Sequence, residues 1–123
     1  MNDFPVYLTG LGALLSVVVI YLGVLFMFAP ERGLAFATHR IENLPSVMAN
    51  RYFTMAAVMI GSLVYGEPEV IAFVFAVTGF GPAHDAWIYA RAGLPYKKHV
   101  LPAVLSAYVV IGSLIVYFNS GAV

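Results

Sequence analysis

Apolar residues along this chain gather into four blocks, and the short stretches between them carry most of the charge. The first block, "VYLTGLGALLSVVVIYLGVLFMFA" from Val6 to Ala29, contains no charged residue at all. The others run from about 46 to 65, 68 to 90 and 98 to 118. Each is near the roughly 20 apolar residues that a helix needs to cross a bilayer. Segments of this length in lipid must satisfy their backbone groups internally, which a helix does and an isolated strand does not. The connections are short, so consecutive helices are expected to run antiparallel. The pattern predicts an all-α integral membrane protein, an up-down-up-down four-helix bundle forming a single domain over 1–123.

The punctuation between blocks fits helix ends. Ser46, after Pro45, is an expected N-cap of the second helix, and Gly66 a residue able to close it with positive φ. Pro68 suits the first turn of the third helix, where a missing N–H costs nothing, and Glu69 lies near its positive end. "RAGLPYKK" turns the chain into the fourth. The long connection "PERGLAFATHRIENLP" reads either as a short segment lying at the headgroups or as a plain loop. Gly12 with Ser16, and Ala57 with Gly61, are small residues four apart that allow close helix approach.

Composition agrees with the pattern. Apolar residues make up 62% and charged residues 10% of the 123, against about half and a quarter in soluble domains. No cysteine is present, which excludes disulfides, thiolate metal sites and covalent haem attachment. The net charge of zero, with no dense basic stretch, gives no footprint for nucleic acid. The leader "MNDFP" is acidic and the apolar run behind it too long for a signal core, so the first block is expected to stay as a membrane helix.

Charge also orients the chain. Arg32, Arg40 and Arg51 cluster around the first connection, and Arg91, Lys97 and Lys98 around the third. Asp3, Glu67 and Glu69 belong to the opposite side, which has no Lys or Arg. The positive-inside rule then makes connections one and three cytoplasmic and both termini periplasmic, in a bacterial inner membrane. Trp87, Tyr89 and Tyr96 fall at the inner interface, and Tyr7, Tyr65 and Tyr117 at the outer one, as an aromatic belt requires.

Against this background "GFGPAHDAWIY" is unusual. Asp85 is six residues from the inner end of the third helix, roughly 9 Å deep. Arg51 and Asn50 lie at a similar depth in the second helix, and His99 opens the fourth. Asn50, Arg51, His84, Asp85 and His99 thus form an expected polar layer on the cytoplasmic side. A carboxylate facing lipid costs a few kcal/mol, so Asp85 is expected to turn inward toward Arg51, whose planar fork matches it. Pro82 removes one backbone bond nearby, and Gly79 and Gly81 loosen the same stretch.

Two readings of this layer stand open. In one, Asp85 and Arg51 form a buried ion pair that fixes helix register without chemistry. In the other, Asp85 and His99 are a proton-transfer pair in a pocket open to the cytoplasmic leaflet, acting on a lipid-like substrate in the manner of an isomerase. Met48, Met55, Met59, Phe53, Phe73, Phe75 and Tyr108 are candidate walls. Haem ligation requires His84 and His99 to face each other across a gap, and zinc requires a further ligand beyond these. No metal site and no definite cofactor follow from the sequence. A proton-coupled exporter needs an acidic residue in the first helix, and none is there.

The stretches "FAPERGLAF", "NRYFTMAAVMIGSL" and "GPAHDAWIYARAG…KKHVLPAVLSAY" resemble a family of small bacterial and fungal membrane proteins known as a domain of unknown function, related to the DoxX-like four-helix group. The resemblance covers about Leu22 to Phe118 and centres on "APER", Asp85 and His99. It implies a four-helix membrane fold and, by analogy with DoxX-like relatives, quinone-linked or other redox functions. The family's second helix has paired basic residues followed by Asp, whereas this chain has Arg51 without an acidic partner. The functional expectation is a small membrane module that binds an apolar, lipid-like molecule, or serves as an accessory subunit of a larger complex or homo-oligomer. The alternatives are the embedded acid–base enzyme and haem- or quinone-linked electron transfer.

Overall fold

The computed structural model describes residues 6–37 and 40–120; within the first helix it describes the side chains of Tyr7, Leu14, Val17, Val18 and everything from Ile20 onward. Asp3, His39 and the Gly12–Ser16 pair lie outside the described residues or side chains. The described chain is helical throughout: α1 (Val6–Phe28), α2 (Pro30–Phe36), a 3-10 turn (Ile41–Asn43), α3 (Leu44–Tyr65), α4 (Pro68–Arg91) and α5 (Lys97–Asn119). Among the described residues three helical segments are long and apolar enough to cross a membrane: Ile41–Tyr65, Pro68–Arg91 and Lys97–Asn119. α1, 23 residues without a charge, has the length and composition expected of a fourth.

The chain divides into two compact units, Met1–Met48 and Ala49–Val123. In the first, the connection after α1 is not a plain loop but contains a short helix. Pro30 starts α2, and the short helix folds back along the end of α1. Gly33 is buried against the Phe26 ring, and Phe36 meets Tyr21 edge-on with ring centres 5.9 Å apart. A Cβ on Gly33 would lie 3.0 Å from that ring, so a glycine is what lets α2 lie this close.

α3 begins at Leu44, ahead of the expected Ser46 cap. Proline in a first helical turn gives up an N–H that has no partner there anyway, so the helix starts before Pro45 and Ser46 has no capping duty. At its other end Gly66 takes φ +84°, as the sequence requires. α4 opens with Pro68 in its first turn and Glu69 beside it.

The second unit is built on α4 and α5, an antiparallel pair joined by the turn at 92–96. The turn is a Schellman motif: the Gly93 N–H donates to the Ala90 carbonyl and the Leu94 N–H to the Tyr89 carbonyl, with Gly93 at φ +68°. Along α4 the buried Ala72, Phe75, Gly79 and Ala86, with half-buried Pro82, are spaced three and four apart. Half-buried His99, Ala103, Ser106, Val110, Ser113 and Tyr117 repeat the same spacing on α5. Alternating threes and fours keep one stripe of each helix facing its neighbour over the full contact. At the centre a Cβ on Gly79 would stand 2.5 Å from the Ser106 Cβ, so the helices approach here too closely for a larger residue. The expected small pair on α3 makes no such contact within this chain among the described residues. Ala57 and Gly61 are exposed, and nothing lies within 4 Å of where a Gly61 Cβ would be.

Candidate functional site

The seam leaves a groove on one flank of the α4–α5 pair. It has a volume of about 340 Å³ and is lined by Phe75, Ala76, Gly79, Phe80 and Ala83 from α4, and by Ala103, Ser106, Ala107, Val110 and Ile111 from α5. Its walls are concave because alanine and glycine recur where larger residues would fill the space. The Ser106 hydroxyl is its one side-chain polar group. Several intrahelical Ser and Thr hydroxyls bond back to a carbonyl three or four residues earlier, as Thr78 does to Val74 at 2.9 Å and Ser62 to Met59 at 2.8 Å. Among the described residues Ser106 makes no such bond, which leaves its hydroxyl free to meet a guest.

The five residues of the expected polar layer are not brought together. Asn50 and Arg51 are exposed on α3, whose backbone makes no close approach to α4 or α5 among the described residues. Asn50 contributes only its carbonyl, which accepts the Thr54 hydroxyl at 2.9 Å. Asp85 is exposed, and no ion pair joins it to Arg51 among the described residues. Among the described residues α3 makes no close backbone approach to α4, so the two side chains are not brought together as the expected pair. The Thr78 hydroxyl is committed to Val74 and does not reach toward the carbonyl that Pro82 leaves without its backbone partner.

The two histidines go separate ways. His99, half-buried at the start of α5, packs on Tyr89 with ring centres 4.8 Å apart, which ties the first turn of α5 to the end of α4. His84 stacks between Phe80, at 5.7 Å and 9°, and Trp87, at 5.6 Å and 18°. At 100° per residue, His84 lies nearly opposite the α5-facing seam of α4. The imidazoles thus sit on different sides of α4 and do not face across a gap as paired haem ligands would. No hydrogen bond links Asp85 with His99 among the described residues. No group of three His, Asp or Glu gathers there as metal ligands either.

Of the candidate walls, Phe75 alone lines the groove. Phe53, Phe73 and Tyr108 are 76%, 69% and 78% exposed and point elsewhere. The groove's small residues are hard to find from sequence because glycine and alanine carry no ionisable group and recur throughout membrane helices. The signal was present in Gly79 with Ala83 and Ala103 with Ala107, each pair four apart.

No protein-family model, curated protein or solved structure matches the chain.

Proposed function

We propose that this chain is a small multi-pass module of the bacterial cytoplasmic membrane, a four-helix protein with both termini periplasmic, whose α4–α5 groove holds an apolar, lipid-like molecule or the side chains of a partner membrane subunit. The observation that carries the reading is a groove of small apolar residues with one uncommitted hydroxyl, on a helix pair whose outward faces are apolar. A site of that make-up recognises an apolar body with at most one hydrogen-bonding group. The resemblance to the DoxX-like group belongs to the same reading. An acid–base enzyme is the weaker alternative, because Asp85 and His99 have no contact through which to share a proton.

Two measurements test it. The chain has no cysteine, so single cysteines report topology without background. A cysteine replacing Lys97 should resist a membrane-impermeant maleimide in intact spheroplasts, and one replacing Glu67 should react; the reverse pattern overturns the orientation. Native mass spectrometry of the detergent-released protein should then find a bound apolar molecule, or a partner subunit, that Ala83→Leu expels by filling the groove. Retention of the same species by that variant rules the groove out.

A further inference from the structure

The face of α4 turned away from α5 carries a second feature. Phe80, His84, Trp87 and Arg91 follow one another at intervals of four, three and four. Their mean direction lies about 140° around the helix from the seam. The first three rings form a continuous stack, and the Arg91 guanidinium sits over the Trp87 ring, its carbon 4.8 Å from the ring centre. Phe80 is 68% and Trp87 53% exposed, so nothing within the second unit covers the outer surface of the ladder among the described residues. Stacking holds the rings in place, and the cation–π contact keeps the guanidinium at the end of the ladder.

The ladder has a polarity and a length. Its deep end is a phenyl ring and its shallow end a fixed cation at the last residue of α4, beside a turn that also holds Lys97 and Lys98. No acidic residue occurs from Ala86 to Val123, and Asp85 lies about 130° around the helix from the ladder, so nothing on this face offsets the positive charge. From Phe80 to Arg91 is about 16 Å along the axis, close to the roughly 15 Å of hydrocarbon in one leaflet. A plain aromatic anchor needs none of this, since one ring at headgroup level serves.

We infer that the ladder is a binding site for an anionic phospholipid of the cytoplasmic leaflet, with the phosphate at the Arg91 guanidinium and one acyl chain lying along Trp87, His84 and Phe80. The inference rests on the membrane reading above; Phe80 borders the groove as well, whereas His84, Trp87 and Arg91 do not line it. A zwitterionic lipid satisfies the apolar stack equally well and lacks the net negative charge that the Arg91 end selects.

Trp87 is the chain's only tryptophan, so its fluorescence reads this face alone. The full chain is reconstituted in phosphatidylcholine vesicles containing a rising mole fraction of either brominated phosphatidylglycerol or brominated phosphatidylcholine. Brominated phosphatidylglycerol should reach half-quenching at about one-fifth the mole fraction, the factor of a single charge near a membrane surface. Arg91→Gln should abolish the preference while leaving quenching by the zwitterionic lipid intact. Lys97→Gln with Lys98→Gln, which removes more charge from the turn, should leave most of it. Equal quenching by the two lipids in the unmodified chain overturns the inference and leaves the membrane reading standing. A preference that follows the lysines and not Arg91 overturns it as well. Absence of quenching by either lipid also rejects the ladder site, and the cysteine-labelling pattern then decides the membrane reading separately.

Discussion

Gly79 and Ser106 meet across the α4–α5 seam, with a hypothetical Gly79 Cβ only 2.5 Å from the Ser106 Cβ. A contact at that distance involves the stiff root of a side chain, so the two helices must move apart to accept a methyl group. Gly79→Ala should destabilise the pair by about 1–3 kcal/mol, the range for overpacking a close contact. Replacing Ser106 with glycine removes the atom that is struck. The double variant Gly79→Ala with Ser106→Gly should therefore be more stable than Gly79→Ala alone, a coupling that a double-mutant cycle of thermal unfolding in detergent measures. Strict additivity would mean that the two residues do not touch.

The turn at the end of α4 gives a second test. Gly93 holds φ +68°, where an L side chain is strained, and its N–H and that of Leu94 close the Schellman motif on Ala90 and Tyr89. Gly93→Ala should cost about 1 kcal/mol. The loss should appear as faster amide exchange at Gly93 and Leu94 before any change at the centre of α5. Gly66, at φ +84°, should behave similarly at the end of α3.

Much of this architecture was legible in the residues. Helix limits follow from Pro68, Gly66 and the "RAGLPYKK" turn because proline and glycine act through local backbone geometry, which needs no knowledge of neighbours. The start of α3 escaped because proline permits a helix to begin on either side of it, and Leu44 gained a turn that Ser46 was expected to cap. The α2 fold-back escaped because it depends on Phe26 finding Gly33, a tertiary match that hydropathy does not encode. The polar layer was less legible for a related reason. Depth along a helix places Arg51 and Asp85 at one level, but a common level does not give a common direction, and both side chains are exposed.

That exposure makes Asp85 a sharp discriminator. Asp85 is exposed and has no ion-pair partner among the described residues, so replacing it by its amide strands no buried charge. Asp85→Asn should accordingly not lower the melting temperature, and neither should Arg51→Gln, with the double variant showing no coupling. A buried ion pair behaves differently, because removing one partner strands the other and costs about 3–5 kcal/mol. A large loss in Asp85→Asn that Arg51→Gln relieves would establish the pair after all and restore the structural polar layer.

Tyr89 and His99 form the other link across the pair, with ring centres 4.8 Å apart and planes inclined at 48°. The contact clamps the first turn of α5, which has no side-chain cap of its own, onto the last turn of α4. Aromatic pairs of this kind contribute about 0.5–1.5 kcal/mol beyond area burial. His99→Phe keeps a flat ring at the seam and should preserve stability, whereas His99→Ala should lose about that amount. The two variants also separate packing from chemistry. If His99 served as a proton donor or acceptor, phenylalanine would be as damaging as alanine to whatever turnover exists. If it is a clamp, phenylalanine should be indistinguishable from histidine in ligand retention as well as in melting. The ring contact with Tyr89, and the lack of any hydrogen bond from His99 to Asp85 among the described residues, favour the clamp.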